Sequence, residues 1–432
     1  MKTTVKWVAA ILYLIVPAAV LPQLALPTVG PVLPLPDAPM GKISDPLIDP
    51  ANGILNYSAL DQLRPSELRT ALNRLRIQRL HDFLRQNRNH VERDRNGDAA
   101  VRAVLIATGI SEASLERAQN EGFPILERTE IEGLGLGYVK FATRAGKSLK
   151  SEQKQLQKLA REAEISADNI YFASGSNPLP ANAMLLANSK VRSGAIGLID
   201  GGVARHSAIA MPVEQRGFAR GAPVASSHGT AIASLLSTSL RTDKAGLLAA
   251  DIYGSDPAGG NATAIARALG WMAQRNVPVV AISLVGPDNG LLARAIKAAQ
   301  RKGILIVAAV GNDGPAAPPR FPAAYKGVIG VTGVDHRERA LPEAGTATPV
   351  DFAAPGAGIK GASPDGKLVA LRGTSFATPF VAARLFSHYP TANISQIEPA
   401  VNGLIREAKD LGKKGPDSIY GNGLICGKCG LR

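Results

Sequence analysis

The chain has 432 residues, of which 45% are hydrophobic and 5% aromatic, and it contains 44 glycines. This length exceeds what one hydrophobic core usually fills, so we expect a large globular domain with at least one accessory unit. The formal net charge of +14 permits attraction to acidic surfaces. The basic residues are scattered singly and lack interleaved aromatics, which argues against a nucleic-acid-binding protein.

Residues 1–27 carry two lysines before an uncharged apolar run, the layout of a secretory signal. No clear cleavage site follows, so a cleaved signal peptide, a retained membrane anchor and an ordinary buried helix all stay open. The first two place the protein outside the cytoplasm, secreted or periplasmic, with membrane contact in the anchored form. Residues 28–60 are rich in proline and indicate an extended linker.

Residues 61–101 form a basic segment in which leucines recur at helical spacing, predicting a helix from Ser66 to about Arg93. Its arginines suit either a solvated helix face or an anionic membrane surface. The following "DRNGD" resembles the start of a calcium loop, but Ala99 stands where the loop needs glycine. A structural calcium site therefore stays unassigned.

Residues 102–176 alternate between short apolar runs and amphipathic runs, which predicts a split, ferredoxin-like βαββαβ unit. The predicted elements, in chain order, are a strand at 103–109, a helix at 111–122, strands at 123–135 and 136–144, a helix at 148–164 and a closing strand at 168–173. Residues 177–190 read as a linker.

From residue 191 to 425, nearly continuous aliphatic strands alternate with helical patterns. Strands of this kind are buried on both faces, so the pattern predicts a mainly parallel sheet covered by helices, an α/β fold. Sites in such sheets lie at the carboxyl ends of the strands. The candidate functional residues should therefore be sought where each strand ends.

Two residues meet this expectation directly, and two more lie at predicted helix starts. Asp200 ends the strand "AIGLID", His228 opens the helix "HGTAIASLL", and Asn312 ends the strand "ILIVAAVGN". Ser375, in "RGTSFATPFVAA", is either a residue of an ordinary helix start or a nucleophile held at the positive end of a helix. The second interpretation requires a base and an orienting acid, which His228 and Asp200 can supply.

The segments "IDGGV", "SSHGTAIA", "AAVGNDGP" and "GTSFATPFVAA" resemble, in order, the four signature segments of the subtilisin-like serine proteases. The resemblance covers roughly residues 191–425 and implies a serine endopeptidase that needs no cofactor for its chemistry. It implies that Ser375 is the nucleophile, His228 the base and Asp200 its orienting acid. It also implies that Asn312 and the Ser375 N–H bind the oxyanion.

The resemblance further implies that an extended peptide or protein substrate pairs with Ser283, Leu284, Val285 and Gly286 and with Ala309, Val310 and Gly311. The bulk of Val285 and Val310 favours small or medium aliphatic side chains in the specificity pocket. The βαββαβ unit resembles the family's prodomain, an intramolecular folding aid and inhibitor. We therefore expect an autoprocessed zymogen that is cut between about Ile170 and Lys190.

Two positions depart from the family pattern: Gly201 stands where Thr or Ser is usual, and Phe380 where His often follows the proline. A catalytically silent binding or scaffold protein with the same fold stays an alternative. An α/β-hydrolase esterase is disfavoured, because it needs an acid and a base after the serine and only His388 follows.

The two cysteines, Cys426 and Cys429, lie in the tail 426–432. Export favours a short-loop disulfide between them. Free thiols stay open, as does metal or redox chemistry, although two thiols alone cannot complete a four-ligand zinc site.

Overall fold

The structure, a computed structural model, describes residues 63–173, 184–191, 194–240 and 245–426. Helix α1 (Pro65–Gln86) has Pro65 in its first turn, and the Glu67 side chain accepts a bond from the Arg64 backbone N–H at 3.1 Å. Its apolar side chains at helical spacing, Leu68, Leu72 and Leu75, are buried.

The predicted basic helix is present but shorter than expected. It ends at Gln86, because the Asn87 side-chain amide donates to the Phe83 carbonyl at 2.9 Å and satisfies the last turn. The residues expected to continue the helix instead form strand β1 (Val91–Arg93).

The predicted βαββαβ connectivity is confirmed. A single antiparallel sheet has the order β3-β4-β2-β5, and β1 pairs with the start of β2. Two helices cover one face around a core that includes Phe123, Phe141 and Leu156. The elements are β2 (Ala99–Thr108), α2 (Glu112–Asn120), β3 (Ile125–Ile131), β4 (Leu136–Ala142), α3 (Leu149–Leu159) and β5 (Glu164–Asn169).

The end of this unit differs from the sequence prediction. Helix α3 stops at Leu159, because the Gln157 amide donates to the carbonyls of Ala160 and Ala163 and fixes a turn. The closing strand is β5, not residues 168–173. Residues Phe172–Ala173 form a separate strand, β6, which leaves the sheet and pairs with the second unit.

The second unit contains seven parallel strands in the order β14-β13-β12-β10-β7-β9-β8. The mainly parallel α/β sheet predicted from the sequence is therefore confirmed. The strands are β7 (Ala195–Asp200), β8 (Val213–Gly217), β9 (Gly246–Asp251), β10 (Val279–Ile282), β12 (Leu305–Ala309), β13 (Ile329–Val334) and β14 (Phe352–Pro355); outside the sheet lie β11 (Leu284–Val285) and the hairpin β15 (Ala357–Ala362) with β16 (Leu368–Arg372).

Alternate residues of each strand enter different cores, as the period of two requires. In β7, Ile196 and Leu198 join the core on one face, and Ile199 joins the core on the other. Helices α4 (Ser227–Ser239), α7 (Thr374–His388) and α8 (Ile397–Glu407) cover the first face, and α5 (Ala262–Gln274) and α6 (Gly290–Arg301) cover the second.

The two units meet through an apolar surface, where Ile106, Ile131 and Tyr138 join the core of α5 and α6, and through polar groups at the starts of these helices. The Asp168 carboxylate accepts from the Thr263 N–H at 3.0 Å and from the Thr263 hydroxyl at 2.8 Å, and it lies 3.2 Å from Lys140 Nζ. The Asn289 amide donates to the Ala167 carbonyl at 2.8 Å. A carboxylate at the start of a helix is favoured by unsatisfied N–H groups and by the helix dipole.

Several sequence-based predictions fall outside the described residues: the N-terminal signal or anchor, the proline-rich linker and most of the 177–190 linker. Within the described ranges, no helix combines the length and the apolar character needed to cross a bilayer. Cys426 is disulfide-bonded, whereas Cys429 lies beyond the last described residue. The predicted pairing of the two cysteines therefore stays a prediction.

Candidate active site

Asp200 and His228 form a buried hydrogen-bonded pair. His228 Nδ1 lies 2.8 Å and 3.0 Å from the two Asp200 carboxylate oxygens, and the Gly201 N–H also donates to Asp200 at 2.8 Å. Both side chains are at most 3% exposed. The carboxylate therefore fixes the imidazole with Nδ1 as the donor and Nε2 available as a base.

Glycines set the distance between these two residues. A Cβ added to Gly229, next to His228, would overlap the Gly201 carbonyl, and one added to Gly202 would overlap the Val224 carbonyl. Helix α4 can approach the end of β7 only because these positions lack side chains. The departure at Gly201 has the same cause, since the Ser226 side chain occupies the space that a residue with a Cβ would need.

Ser375 lies in the first turn of α7, directly after Gly373 and Thr374. Gly373 has φ = 138°, a left-handed conformation that favours glycine. The Ser375 hydroxyl donates to the Ser283 carbonyl at 3.1 Å. His228 Nε2 is buried and has no hydrogen-bond partner within the described residues. The His228 ring lies 5.4 Å from the ring of Phe376, the residue after Ser375, so the two groups lie in one site, with the serine hydroxyl directed to Ser283.

Ser283 also compensates for the proline in α7. Pro379 has no N–H, so the Ser375 carbonyl lacks its normal helical donor. The Ser283 hydroxyl donates to this carbonyl at 2.9 Å. The two serines therefore exchange hydrogen bonds, which hold the start of α7 against the segment before β11.

Asn312 follows β12 and contacts the same helix start. Its side-chain oxygen accepts from the Thr374 N–H at 3.0 Å, and the Thr374 hydroxyl accepts from the Gly311 N–H at 3.2 Å. Because the amide oxygen is held by Thr374, the orientation of the Asn312 amide nitrogen is fixed as well. The second departure, Phe380, is fully buried in the core behind this helix.

Asp251 is a residue that sequence reasoning missed. It ends β9 directly opposite Asp200 and accepts backbone bonds from Val224, Tyr253 and Gly254 at 2.7–3.0 Å. Burial raises the pKa of Asp251 despite those bonds, and the nearby Asp200 charge adds to the rise. Its signal was an aspartate at the end of a buried strand, the same pattern that identified Asp200.

Strand β6 lies on the candidate substrate-binding segment. It pairs antiparallel with β11, Ala173 opposite Leu284 and Phe172 opposite Val285. The preceding Tyr171 is buried, and its hydroxyl donates to the Pro287 carbonyl at 2.7 Å. A side chain at Gly286 would overlap the Tyr171 ring. The predicted segment 283–286 therefore already carries an extended strand of the same chain.

The predicted pocket residues divide into two groups. Val285 lies against Gly311, because a Cβ at Gly311 would be 3.4 Å from Val285 Cγ1. Val310 points elsewhere, toward Gly330 of β13, and Ala309 is buried in β12. Within the described ranges, no three His, Cys, Asp or Glu side chains are grouped to hold a metal ion.

A model of the subtilase family matches residues 201–423, just over half of the chain. This chain belongs to the subtilase family. This subtilase is 34% identical to Subtilisin DY from Bacillus licheniformis over 174 residues, which cover 38% of this chain and 61% of that protein. It is 32% identical to Minor extracellular protease Epr from Bacillus subtilis over 173 residues, 38% of this chain and 26% of that protein.

The crystal structure of fervidolysin from Fervidobacterium pennivorans, a keratinolytic enzyme related to subtilisin, has the same fold. Its TM-score is 0.57 at 16% identity, and the match covers 76% of this chain and 60% of that one. The subtilase thus spans about 60% or less of the length of these three proteins.

Proposed function

We propose that this subtilase is a serine endopeptidase that is made as a zymogen and cuts itself. The observation that carries the proposal is the pairing of β6 with β11. Ala173, the last described residue of β6, lies opposite Leu284, which directly follows Ser283, and the Ser283 carbonyl accepts the Ser375 hydroxyl at 3.1 Å. An extended chain bound in this way presents its next peptide bond to the nucleophile.

The proposed reaction starts with rotation of the Ser375 hydroxyl from Ser283 toward His228 Nε2. His228 takes the proton while Ser375 Oγ bonds to the peptide carbonyl carbon. Asp200, bonded to Nδ1 at 2.8 Å, stabilises the imidazolium that forms. When the intermediate collapses, the C–N bond breaks and His228 gives the proton to the leaving amine. Water then hydrolyses the acyl-enzyme by the same steps.

The developing oxyanion needs donors on one side of the carbonyl. We assign this role to the Asn312 amide nitrogen and to the Ser375 backbone N–H at the start of α7. The bond from the Thr374 N–H to the Asn312 side-chain oxygen fixes the orientation of the amide, so the donor is oriented before substrate binds. The proposed chemistry uses side-chain and backbone groups alone.

The βαββαβ unit would act as the prodomain, with β6 as its end in the cleft. We propose that the cut falls just after the described end of β6, at the bond between Ser174 and Gly175, which lies in the predicted 170–190 window. The match to fervidolysin supports a larger shared fold, since it covers 76% of this chain whereas the family model covers about half. The apolar N-terminus and the extracellular relative support action outside the cytoplasm.

The test is intact-mass analysis and N-terminal sequencing of the exported wild-type protein beside Ser375→Ala and a matched control, Ser387→Ala, in the last turn of the same helix. We expect a new N-terminus at Gly175 in the wild type and the control, and full-length Ser375→Ala. A fluorophosphonate probe should label the wild type and Ser387→Ala but not Ser375→Ala. If all three stay full length and unlabelled, the scaffold alternative is supported instead.

A further inference from the structure

Arg320 is a buried arginine beside the cleft, and the proposed mechanism does not use it. It is only 9% exposed. The next residue, Phe321, exchanges two backbone hydrogen bonds with Gly286, at 2.9 and 3.1 Å. A Cβ at Gly311 would lie 3.4 Å from Arg320 Cγ and equally far from Val285 Cγ1. The arginine stem therefore lies against both segments proposed to bind substrate.

The guanidinium group of Arg320 extends along the segment that contains Asn312. Its stem contacts Gly311, and its Nη2 pairs with the Asp313 carboxylate, so the side chain passes the oxyanion residue. Its Nε is buried and has no hydrogen-bond partner within the described residues. A guanidinium carries five donors in a fixed fork, so it can bind a second carboxylate in addition to Asp313.

The Asp98 carboxylate, at the start of the βαββαβ unit, lies close enough to Arg320 for the two charges to interact. Asp98 lies in the loop before β2, and burial together with the charge of Asp94 raises its pKa. The charge of Arg320 acts in the opposite direction on the same carboxyl group, as do those of Arg76 and Arg93. Arg320 is therefore within electrostatic reach of an acidic loop while β6 occupies the cleft.

We propose that Arg320 makes this subtilase select substrates with glutamate or aspartate directly before the scissile bond. The inference rests on the proposed endopeptidase function and replaces the aliphatic preference expected from Val285 and Val310. Strand β6 pairs with Leu284 and Val285, and Val285 and the Arg320 stem both lie beside Gly311, so the arginine borders the place where we propose that the residue before the scissile bond binds. A buried cation at that place favours an anionic side chain and disfavours a cationic one.

With the cut proposed above, the chain's own residue before the scissile bond is Ser174, whose side chain carries a hydroxyl and no charge. An uncharged residue gains less from the arginine than a carboxylate does. We therefore expect the cut end of the prodomain to be a weaker ligand at this position than an acidic product, which favours its later replacement by substrate.

The experiment measures kcat/KM of the processed enzyme on fluorogenic peptides that differ only before the scissile bond, with Glu, Asp, Ala, Phe or Lys. In the wild type we expect Glu and Asp to exceed Phe by about tenfold or more, with Lys the poorest. Wild-type enzyme that cleaves best after Phe, Leu or Lys would overturn the proposal.

Three variants separate charge from shape. Arg320→Met should lower kcat/KM for Glu by about 10- to 100-fold through KM, while Ala peptides change less than about threefold. Asp313→Asn should raise the Glu preference by about threefold or more, because the competing carboxylate is removed. The control is Arg406→Met, an exposed arginine of α8, which should leave the ranking unchanged.

The outcomes distinguish this inference from the proposed function. If the fluorophosphonate probe labels Ser375 and peptides are cleaved, but Arg320→Met and Asp313→Asn leave the ranking unchanged, the specificity inference fails and the endopeptidase stands. If neither labelling nor cleavage occurs, the proposed function has failed. Should Arg320→Met not fold, the wild-type series and Asp313→Asn still decide the matter.

Discussion

The two units of the molecule are stabilised in different ways. In the second unit the sheet is covered on both faces, and glycines such as Gly202 and Gly229 let backbone segments pack directly on one another around the Asp200–His228 pair. In the N-terminal unit α2 and α3 cover one face of the sheet, and the other face packs on α5 and α6 through Ile106 and Tyr138 and through polar caps such as Asp168. The candidate site is therefore fixed by close backbone packing within one unit, whereas the N-terminal unit is held by an interface that combines apolar burial with polar contacts such as Asp168–Thr263.

We expect the largest effect from a substitution in the Asp200–His228 pair, which leaves the N-terminal unit unchanged. Asp200→Asn keeps the shape but favours the wrong imidazole tautomer, so we expect kcat to fall about 10⁴-fold. Thermal unfolding and mass should show a folded, unprocessed protein. Near-normal activity would contradict the role given to Asp200.

Asn312→Ala removes one oxyanion donor. We expect kcat to fall about 10²- to 10³-fold with KM little changed, because the donor acts mainly in the transition state. Steady-state kinetics on the processed enzyme measures this. A loss confined to KM would assign Asn312 to substrate binding instead.

Asp168→Ala tests how the N-terminal unit is held on the second unit. It removes the charged acceptor of two Thr263 bonds, so we expect the cut N-terminal unit to bind about 30-fold more weakly, from about 2 kcal/mol. The delay between self-cleavage and full activity should shorten, with kcat unchanged. Asp168→Asn, which keeps an acceptor, is the matched control, and an unchanged delay for Asp168→Ala would contradict this account.

The N-terminal unit should also loosen in acid. Arg144 holds the buried Glu152 carboxylate with two bonds of 2.8 Å and keeps the Glu152 pKa below its ordinary value of 4.5. Stabilisation from a lowered pKa is complete above the unfolded-state pKa and is lost as pH falls through the folded-state pKa. Amide exchange in Ser375→Ala from pH 6 to 3 should show this loss.

Glu152→Gln is the control for that measurement. It should weaken the unit at neutral pH and remove this part of the pH dependence, because the neutral side chain no longer titrates. If the two proteins lose protection identically between pH 6 and 3, the Arg144–Glu152 pair does not cause the loss.

We expect the smallest effect from removing the hydrogen bond between Ser283 and the start of α7. Ser283→Ala leaves the Ser375 carbonyl without the Ser283 donor, so we expect the free energy of unfolding to fall by about 1–2 kcal/mol. Denaturant unfolding of the processed enzyme measures the change. Ser387→Ala, in the exposed last turn of α7, should cost less, and an equal cost would contradict the special role of Ser283.

The sequence was most useful for finding the candidate site residues, because they stand next to recognisable buried strands and helices. Asp200, His228, Asn312 and Ser375 stand beside buried aliphatic runs, and the ends of parallel strands must meet at one edge. Asp251 carried the same signal and was missed, because it lacked a partner motif. The four residues lie together in the structure, and their catalytic roles stay proposals.

The sequence could not predict features that depend on contact between distant segments. Residues 168–173 look like one strand, yet β6 separates because Tyr171 and Phe172 find partners on Pro287 and Val285. Arg320 gave no signal either, since a single arginine in a proline-rich loop shows its burial only after Phe321 pairs with Gly286. The contacts of Tyr171 and Phe172 join residues more than 100 positions apart, and that of Phe321 with Gly286 joins residues 35 positions apart.

Helix α1 contacts both β6 and the second unit. The Phe83 ring stands edge-on to Phe172 with centroids 4.9 Å apart, and Leu72 lies where a Cβ on Gly314 would need to be. Cleavage after β6 breaks neither contact. Phe83 and Phe172 stay on the same fragment, and Leu72 still packs on Gly314 of the other fragment. Cleavage of the chain and departure of the N-terminal fragment are then separate events, and the interval between them depends on contacts with the second unit, such as that of Leu72 with Gly314.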